Sequence, residues 1–269
     1  MTSKGQVDQV DELFTKTVDN WARFYADPKP LTLNSQNLVS RRRFALEMLE
    51  SHIPPGTKIL DIGCGTGHLA GELMNRGYDA WGVDFSAGMV QYAREHYNPE
   101  RFSAGDIENI KFPDSTFDGV MCLGVVEYLD SDEPALREMW RVLKPGGYAV
   151  ITTPNSMCPF YYIDRAIETM VGVARPVVRT VRPKPPVDPA KAADLPMVAH
   201  RRYNRRRWQQ LMRSVGLETV DWVVHSWGCY SLERFWDQGA FCRASDRFAR
   251  NPMMNWFASN QLALVRAIK

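Results

Sequence analysis

The apolar positions follow two different periods along the chain, which divide it into a helical start and an alternating remainder. Residues 7–26 and 36–52 carry apolar side chains at spacings of three and four, which predicts two amphipathic helices. Further on, short apolar runs alternate with helical segments, and they predict strands at about 58–62, 80–84, 101–104, 117–123 and 148–153. Ser86 is placed to cap the helix that follows the second strand. Such alternation is typical of a doubly wound α/β fold, a parallel sheet with helices on both faces.

This rhythm breaks after residue 154. A helical piece at about 161–173 precedes a proline-rich stretch, and a helix near 204–214 then leads to strands near 219–224 and 261–267. With the first five strands, these predict a mostly parallel seven-stranded sheet. We expect a single domain over residues 1–269, since the segment after the fifth strand is too short for a core of its own. Its expected parts are N-terminal helices over 1–54, a ligand-binding half over 55–153, and insertions over 154–203 and 226–257.

The composition excludes several classes of protein. The 269 residues are 45% hydrophobic and 24% charged, as in an average globular protein. No apolar run approaches the roughly 20 residues that span a bilayer. The five cysteines form no CxxC pair, which argues against a zinc or disulfide framework and indicates a reducing compartment, the cytoplasm.

The formal net charge of +2 conceals an uneven distribution. Residues 175–213 hold eleven basic and two acidic side chains, whereas residues 1–174 hold 16 basic and 24 acidic ones. The average argues against a DNA-binding protein or a general nucleic-acid coat. We call residues 175–213 the basic block. It requires a separate explanation.

A glycine-rich turn lies between the first strand and the next helix. Gly63, Gly65 and Gly67 are spaced GxGxG, whereas the dinucleotide fingerprint is GxGxxG, and its sixth position is here His68. The glycines allow a sharp turn and a close approach by a ligand. Asp61 precedes the turn, where a carboxylate would repel a pyrophosphate. The turn therefore favours a cationic ligand over a nicotinamide dinucleotide.

The chain resembles the class I S-adenosylmethionine-dependent methyltransferases, in particular the group acting on small molecules and quinones. The residues that carry the resemblance are LDIGCGTG (60–67), Asp84, Gly105-Asp106-Ile107, FDGVMCLGVVEYL (117–129) and RVLKPGG (141–147). The resemblance implies a Rossmann-like methyltransferase fold, S-adenosylmethionine as cofactor, and methyl transfer to a small molecule. It also implies that residues 1–54 cover the site and that both insertions build the acceptor pocket.

The family pattern assigns cofactor contacts residue by residue. The methionine part is expected on Asp61, Gly63, Gly65, Gly67 and Leu123, the ribose on Asp84, and the adenine on Phe85, Met89, Asp106 and Ile107. Trp21 and Tyr25 of the first helix are expected either to close over the cofactor or to pack in the core. Phe85 and Met89 have the same alternative, while Asp84 could instead cap a helix and Asp106 could be a solvated acid.

An oxygen acceptor usually needs a base to remove its proton. The candidates are Glu127, His200 and His225, with Tyr203 as a further possibility. Glu127 could equally be a helix-start carboxylate and His200 a surface histidine. A related metal-binding segment carries acids and a histidine, of which only Glu127 is present here, so we predict no metal site.

The basic block and the acceptor allow several interpretations. The arginines could bind an anionic acceptor, hold residues 161–178 against an anionic membrane surface, or be solvated charge; RNA binding lacks a recognisable module. We expect methylation of an oxygen on an apolar or aromatic metabolite, and an anionic one is among the alternatives. Alternatives are nitrogen or carbon methylation of a lipid-like or quinone-like acceptor, or a non-catalytic cofactor-binding scaffold. The oligomeric state is left open.

Overall fold

The computed structural model describes residues 14–26, 33–179, 201–228, 243–251, 253 and 256–269. The strands are β1 (Lys58–Ile62), β2 (Asp79–Asp84), β3 (Phe102–Ala104), β4 (Phe117–Cys122), β5 (Leu143–Pro154), β6 (Leu217–His225) and β7 (Asn260–Ala267). The α-helices are α1 (Val18–Ala26), α2 (Leu33–Glu50), α3 (His68–Asn75), α4 (Ala87–His96), α5 (Glu133–Val142), α6 (Pro159–Arg179) and α7 (Arg205–Ser214). Single 3-10 turns lie at Pro99–Arg101, Val126–Tyr128 and Asp246–Phe248.

The strands form a seven-stranded sheet in the order β3-β2-β1-β4-β5-β7-β6. Strands β1 to β5 are parallel, and β7 runs antiparallel to both β5 and β6. The prediction of a mostly parallel, doubly wound sheet is therefore confirmed. Strand order reverses between β1 and β4, and ligands of open α/β sheets bind at such a switch point, outside the carboxyl ends of the strands.

The core follows from continuous apolar runs in the central strands. Ile59 and Leu60 of β1 and Val120 and Met121 of β4 are completely buried. Strands covered by helices on both faces are apolar on both sides, which is why these runs do not alternate. The central strands are thus fixed by burial, and their carboxyl ends are held in place for the site.

Two helices begin at side-chain caps. Ser86 Oγ accepts a hydrogen bond from the Met89 backbone N–H at the start of α4, as the sequence predicts. Asn204 Oδ1 accepts one from the Arg207 N–H, 2.9 Å away, at the start of α7. Each cap satisfies a backbone donor that has no partner within the helix. Each cap thus fixes the residue at which its helix begins.

Several predicted boundaries are wrong, and three differ most clearly. Strand β5 begins at Leu143, not at residue 148, because Leu143 pairs with Phe117 before the register shifts at the Pro-Gly-Gly segment. Helix α6 continues to Arg179, beyond the predicted end at 173. Helix α2 begins at Leu33, three residues before its predicted start. In each case the element is longer than the apolar pattern used to predict it, because strand pairing or helical hydrogen bonding continues beyond that pattern.

Candidate functional site

The glycine turn connects β1 to α3 in left-handed backbone conformations. Gly65 has φ of +51°, and a Cβ built on it would meet no protein atom within 4 Å. Gly67 has φ of +80°, and a Cβ there would lie 2.9 Å from Ala93 Cβ. Gly67 is therefore required for packing of α3 against its neighbours. Gly65 instead faces open space into which a ligand can come close to the backbone.

Asp84 closes β2 directly opposite this turn. Its Oδ2 accepts a hydrogen bond from the Gly65 N–H at 2.7 Å, and its Oδ1 accepts one from the Ser86 N–H at 2.9 Å. The half-buried carboxylate thus ties the glycine turn to the start of α4. Asp84 thus supports the turn that forms the site, and its role in binding a ligand stays a prediction.

A cavity of about 450 Å³ lies at this edge of the sheet, beside the switch point. Nine of the eleven predicted cofactor contacts line it: Tyr25, Gly63, Gly65, Asp84, Phe85, Met89, Asp106, Ile107 and Leu123. The other two, Asp61 and Gly67, are not among the lining residues. Met89 and Ile107 are nearly buried, whereas Phe85 is 48% exposed at the rim. Side chains from four separate connections therefore converge on one space.

Helix α1 forms one wall of the cavity. Trp21 and Tyr25 both line it, and the Tyr25 ring stacks on His68 at a centroid distance of 5.5 Å. Upstream of α1, Thr15 shares a 2.9 Å hydrogen bond with Ser86. The segment is thus attached at both ends of the cavity, on the glycine turn side and on the α4 side.

Arg41 of α2 is a cavity residue that we did not predict. Its Nη2 donates to the Tyr25 hydroxyl at 3.3 Å, and a Cβ on Gly124 would lie 2.2 Å from its Nη1. The guanidinium therefore packs on the strand β4 exit. One signal was present: residues 41–43 are all arginine, and three consecutive helical positions span about 200°. At least one of them had to turn away from solvent.

Asp61 lies buried at the end of β1, behind the turn. Its Oδ2 has no hydrogen-bond partner in the described part of the chain. The pKa of Asp61 is raised from 3.8 to about 8, mainly by burial and next by the Asp84 carboxylate, against the smaller opposing effects of Arg41 and the Ala70 N–H. A cation near this carboxylate would favour its ionised form.

Glu127 is buried in the 3-10 turn after β4, and it does not line the cavity. Its Oε2 is without a partner among the described residues. Burial raises the pKa of Glu127 to about 7, while Arg41 and Arg202 lower it. Glu127 therefore follows β4 as the sequence predicts, but its side chain is buried in the protein and does not face the cavity.

His225 ends β6 and is completely buried, also away from the cavity. Its Nδ1 lies 2.7 Å from Ser226 Oγ, which donates to Asn37 Oδ1 at 2.9 Å. Burial lowers the pKa of His225 to about 3, with Arg41 and Arg43 acting in the same direction. The imidazole is neutral and held by α2. The third predicted base, His200, lies outside the described residues, and Tyr203 is buried against Trp208.

Several arginines of the basic block are used within the fold. Arg201 Nη2 donates to Asp132 Oδ1 at 2.5 Å, and Arg202 Nη1 donates to the Asn155 carbonyl at 3.1 Å. Arg202 also lies over the Tyr161 ring, 3.6 Å from its centroid. These arginines attach the chain before α7 to the start of α5 and to the residue that follows β5. Among the described residues, no group of three His, Cys, Asp or Glu side chains is arranged to hold a metal.

Comparison with known proteins identifies the segment around the cavity. Residues 60–151 match a family model described as a methyltransferase domain. A malonyl-[acyl-carrier protein] O-methyltransferase of Pectobacterium atrosepticum is 37% identical over 108 residues, 40% of this chain and 42% of that protein. A demethylmenaquinone methyltransferase of Streptomyces griseus is 36% identical over 120 residues, 42% of this chain and 52% of that protein. The chain thus spans about half the length, or less, of these curated relatives.

The fold extends further than the sequence similarity. A crystal structure of magnesium protoporphyrin IX methyltransferase from Synechocystis, with bound S-adenosylhomocysteine, covers 96% of this chain and 98% of its own with a TM-score of 0.60. Its sequence identity is 13%, so the likeness concerns the fold alone. The matched domain contains the glycine turn, Asp84, Asp106 and the exit of β4, while both insertions lie outside it.

Proposed function

Because residues 60–151 belong to the methyltransferase-domain family, we propose that the chain binds S-adenosylmethionine and transfers its methyl group to a small-molecule acceptor. The observation that carries the proposal is the cavity at the switch point, where the glycine turn and Asp84 face the same space. The spacing of the turn and the carboxylate behind it disfavour the rival dinucleotide.

The cavity residues suit this cofactor. Gly65 leaves room beside the backbone. Behind the turn, and outside the cavity lining, Asp61 holds a buried carboxylate oxygen that lacks a partner among the described residues. Asp84, Asp106 and Glu108 add acidic groups around the cavity. S-adenosylmethionine, when bound, supplies an activated methyl group on a positively charged sulfur. An acidic site favours that cation electrostatically.

We assign the parts of the cavity as follows. Asp84 accepts hydrogen bonds from the ribose hydroxyls, and Ile107 and Met89 pack on the adenine, whose amino group donates to Asp106. The turn around Gly63 and Gly65 contacts the methionine part. Arg41, which lines the cavity beside Gly124, pairs with the carboxylate of that part. Trp21 and Tyr25 exclude water from the reacting end.

The acceptor that agrees best with the site is an ionised oxygen, such as a carboxylate, on an apolar or aromatic molecule. Neither Glu127 nor His225 lines the cavity, and a carboxylate needs no base to accept a methyl group. A curated relative is named as an O-methyltransferase, which agrees with oxygen. Another is named for demethylmenaquinone, and it supports the alternative of a quinone-like acceptor.

The test is transfer of a tritiated methyl group from the cofactor to small molecules of a cell extract. We expect a labelled product that partitions into organic solvent and releases volatile methanol in mild alkali, as a methyl ester does. Label that resists alkali would indicate an ether, amine or carbon acceptor and overturn the carboxylate assignment. Cofactor binding without transfer in any extract would instead support a non-catalytic scaffold.

A further inference from the structure

Helix α6 exposes apolar side chains along one face. Tyr162, Ile163 and Met170 are 57%, 44% and 70% exposed, and Ala166 between them is exposed as well. At about 100° per residue, these four positions lie within an arc of about 100°. A surface helix normally turns its polar face outward. The apolar face of α6 is therefore exposed to solvent, although faces of this composition are normally buried.

A second exposed apolar segment lies beside the start of α6. Cys158 Sγ donates to the Phe257 carbonyl at 3.2 Å, and Asn155 Nδ2 donates to the Ala258 carbonyl at 2.9 Å. These bonds bring Trp256 and Phe257, both about half exposed, next to the helix. We call the combined surface the apolar patch; it consists of Met157, Tyr162, Ile163, Ala166, Met170, Trp256 and Phe257.

Helix α6 has a small excess of basic residues. It carries Arg165, Arg175 and Arg179, and two acids, Asp164 and Glu168. Arg165 is exposed one residue before Ala166 on α6, and the basic block begins within the same helix at Arg175. This block holds eleven basic and two acidic residues, of which Arg201 and Arg202 are engaged within the fold. A helix with an exposed apolar face and an excess of arginine over acidic residues is the pattern of a helix that lies in the interface of an anionic bilayer.

We infer that the apolar patch docks on the surface of an anionic lipid bilayer, with α6 lying in the plane of the interface. The described helices include none that is long and apolar enough to cross a membrane. The apolar patch sits at the carboxyl end of β5, the same sheet edge as the cavity. An apolar ligand leaving the bilayer would therefore emerge beside the site. Docking itself does not depend on the proposed methyl transfer.

The test is sedimentation of the whole protein with vesicles of phosphatidylcholine alone or mixed with phosphatidylglycerol. We expect pelleting with the mixed vesicles at low salt, reduced at high salt because charge is screened. The double variant Ile163→Glu, Met170→Glu should bind at least about tenfold more weakly. The control is Ile268→Glu: Ile268 is 51% exposed, follows β7 at the opposite edge of the sheet, and its replacement should leave binding unchanged.

Each other outcome would overturn the inference. One is the absence of pelleting with either vesicle, and another is pelleting that the double variant retains in full. A concentration-dependent dimer that the double variant abolishes, without vesicle binding, would make a second copy of the chain the occupant. Circular dichroism and binding of S-adenosylhomocysteine by the same variants report folding and the cofactor site separately. A failure of docking is thus distinguishable from a failure of the proposed function.

Discussion

Asp84 and His225 each end a strand, β2 and β6, yet they serve the sheet edge in opposite ways. Asp84 is half-buried, lines the cavity and is held by the N–H groups of Gly65 and Ser86. His225 is completely buried and is held by Ser226 behind α2. A strand end therefore fixes where a residue lies along the sheet. The direction of its side chain depends on what packs behind it.

The strongest test of this contrast is Asp84→Asn. The amide keeps the shape of the side chain but loses the charged acceptor, and charged hydrogen bonds contribute about 1.5–3 kcal/mol each. We expect binding of S-adenosylhomocysteine to weaken about 100-fold by calorimetry. Asp79→Asn at the other end of β2, which replaces a partner of Arg101 and Trp81, should leave affinity unchanged. Equal losses in both variants would show that β2 as a whole is disturbed.

Gly65→Ala separates space for a ligand from backbone strain. Its φ is +51° and its Cβ would enter the cavity, so we expect roughly 30-fold weaker binding, together with about 1 kcal/mol of strain. Gly56→Ala is the matched control, because its φ is +88° and its Cβ also meets no atom within 4 Å, but it lies away from the cavity. It should lower the melting temperature similarly and spare binding. Unchanged affinity in Gly65→Ala would show that the ligand does not bind beside the glycine turn.

Arg41→Gln tests the residue that the sequence pattern did not reveal. Loss of a charge-assisted pair with a carboxylate should weaken cofactor binding about tenfold. The neighbouring Arg42→Gln is the control. Arg42 pairs with Glu72 at 3.4 Å on the surface of α3, and it does not line the cavity. If both variants bind equally well, Arg41 only supports the wall through Tyr25.

Glu127→Gln should have the smallest effect on the rate of methyl transfer, less than about threefold, because Glu127 does not line the cavity. A general base would contribute about 100-fold or more. Its effect on stability depends on pH. The folded-state pKa of Glu127 is raised from 4.5 to about 7, so the folded state binds more protons between these values and the wild type loses stability as pH rises through them. Urea unfolding at pH 5 and 8 should show the variant gaining stability relative to the wild type at pH 8.

The surface variant Glu133→Gln is the control for that pH series, because Glu133 is exposed on α5, where it pairs with Arg137. It should follow the wild type at both pH values. A loss of methyl transfer of about 100-fold in Glu127→Gln would instead restore Glu127 as the base that the sequence suggests. Parallel stability curves for the wild type and Glu127→Gln would contradict the buried, uncharged state of this carboxyl.

The sequence could predict the cavity half of the molecule because short connections leave a strand-end residue few directions. Gly63, Gly65 and Asp84 are separated from their strands by at most a few residues, and all three line the cavity. The other half depends on long segments. The surroundings of Glu127 come from segments distant in sequence: Arg41 of α2 and Arg202 both lower its pKa, and the Arg201 N–H donates to its carbonyl. No local pattern encodes such an environment. Arg41 was not predicted as a cavity residue for the same reason, because its position depends on where α2 crosses the sheet edge.

The cavity beside β1, β2 and β4 is proposed to take S-adenosylmethionine, and calorimetric titration of the wild-type protein is the decisive test. S-adenosylhomocysteine and nicotinamide adenine dinucleotide would be titrated in parallel. We expect saturable binding of S-adenosylhomocysteine at one site per chain and no heat from the dinucleotide. Binding of the dinucleotide without binding of S-adenosylhomocysteine would contradict this proposal.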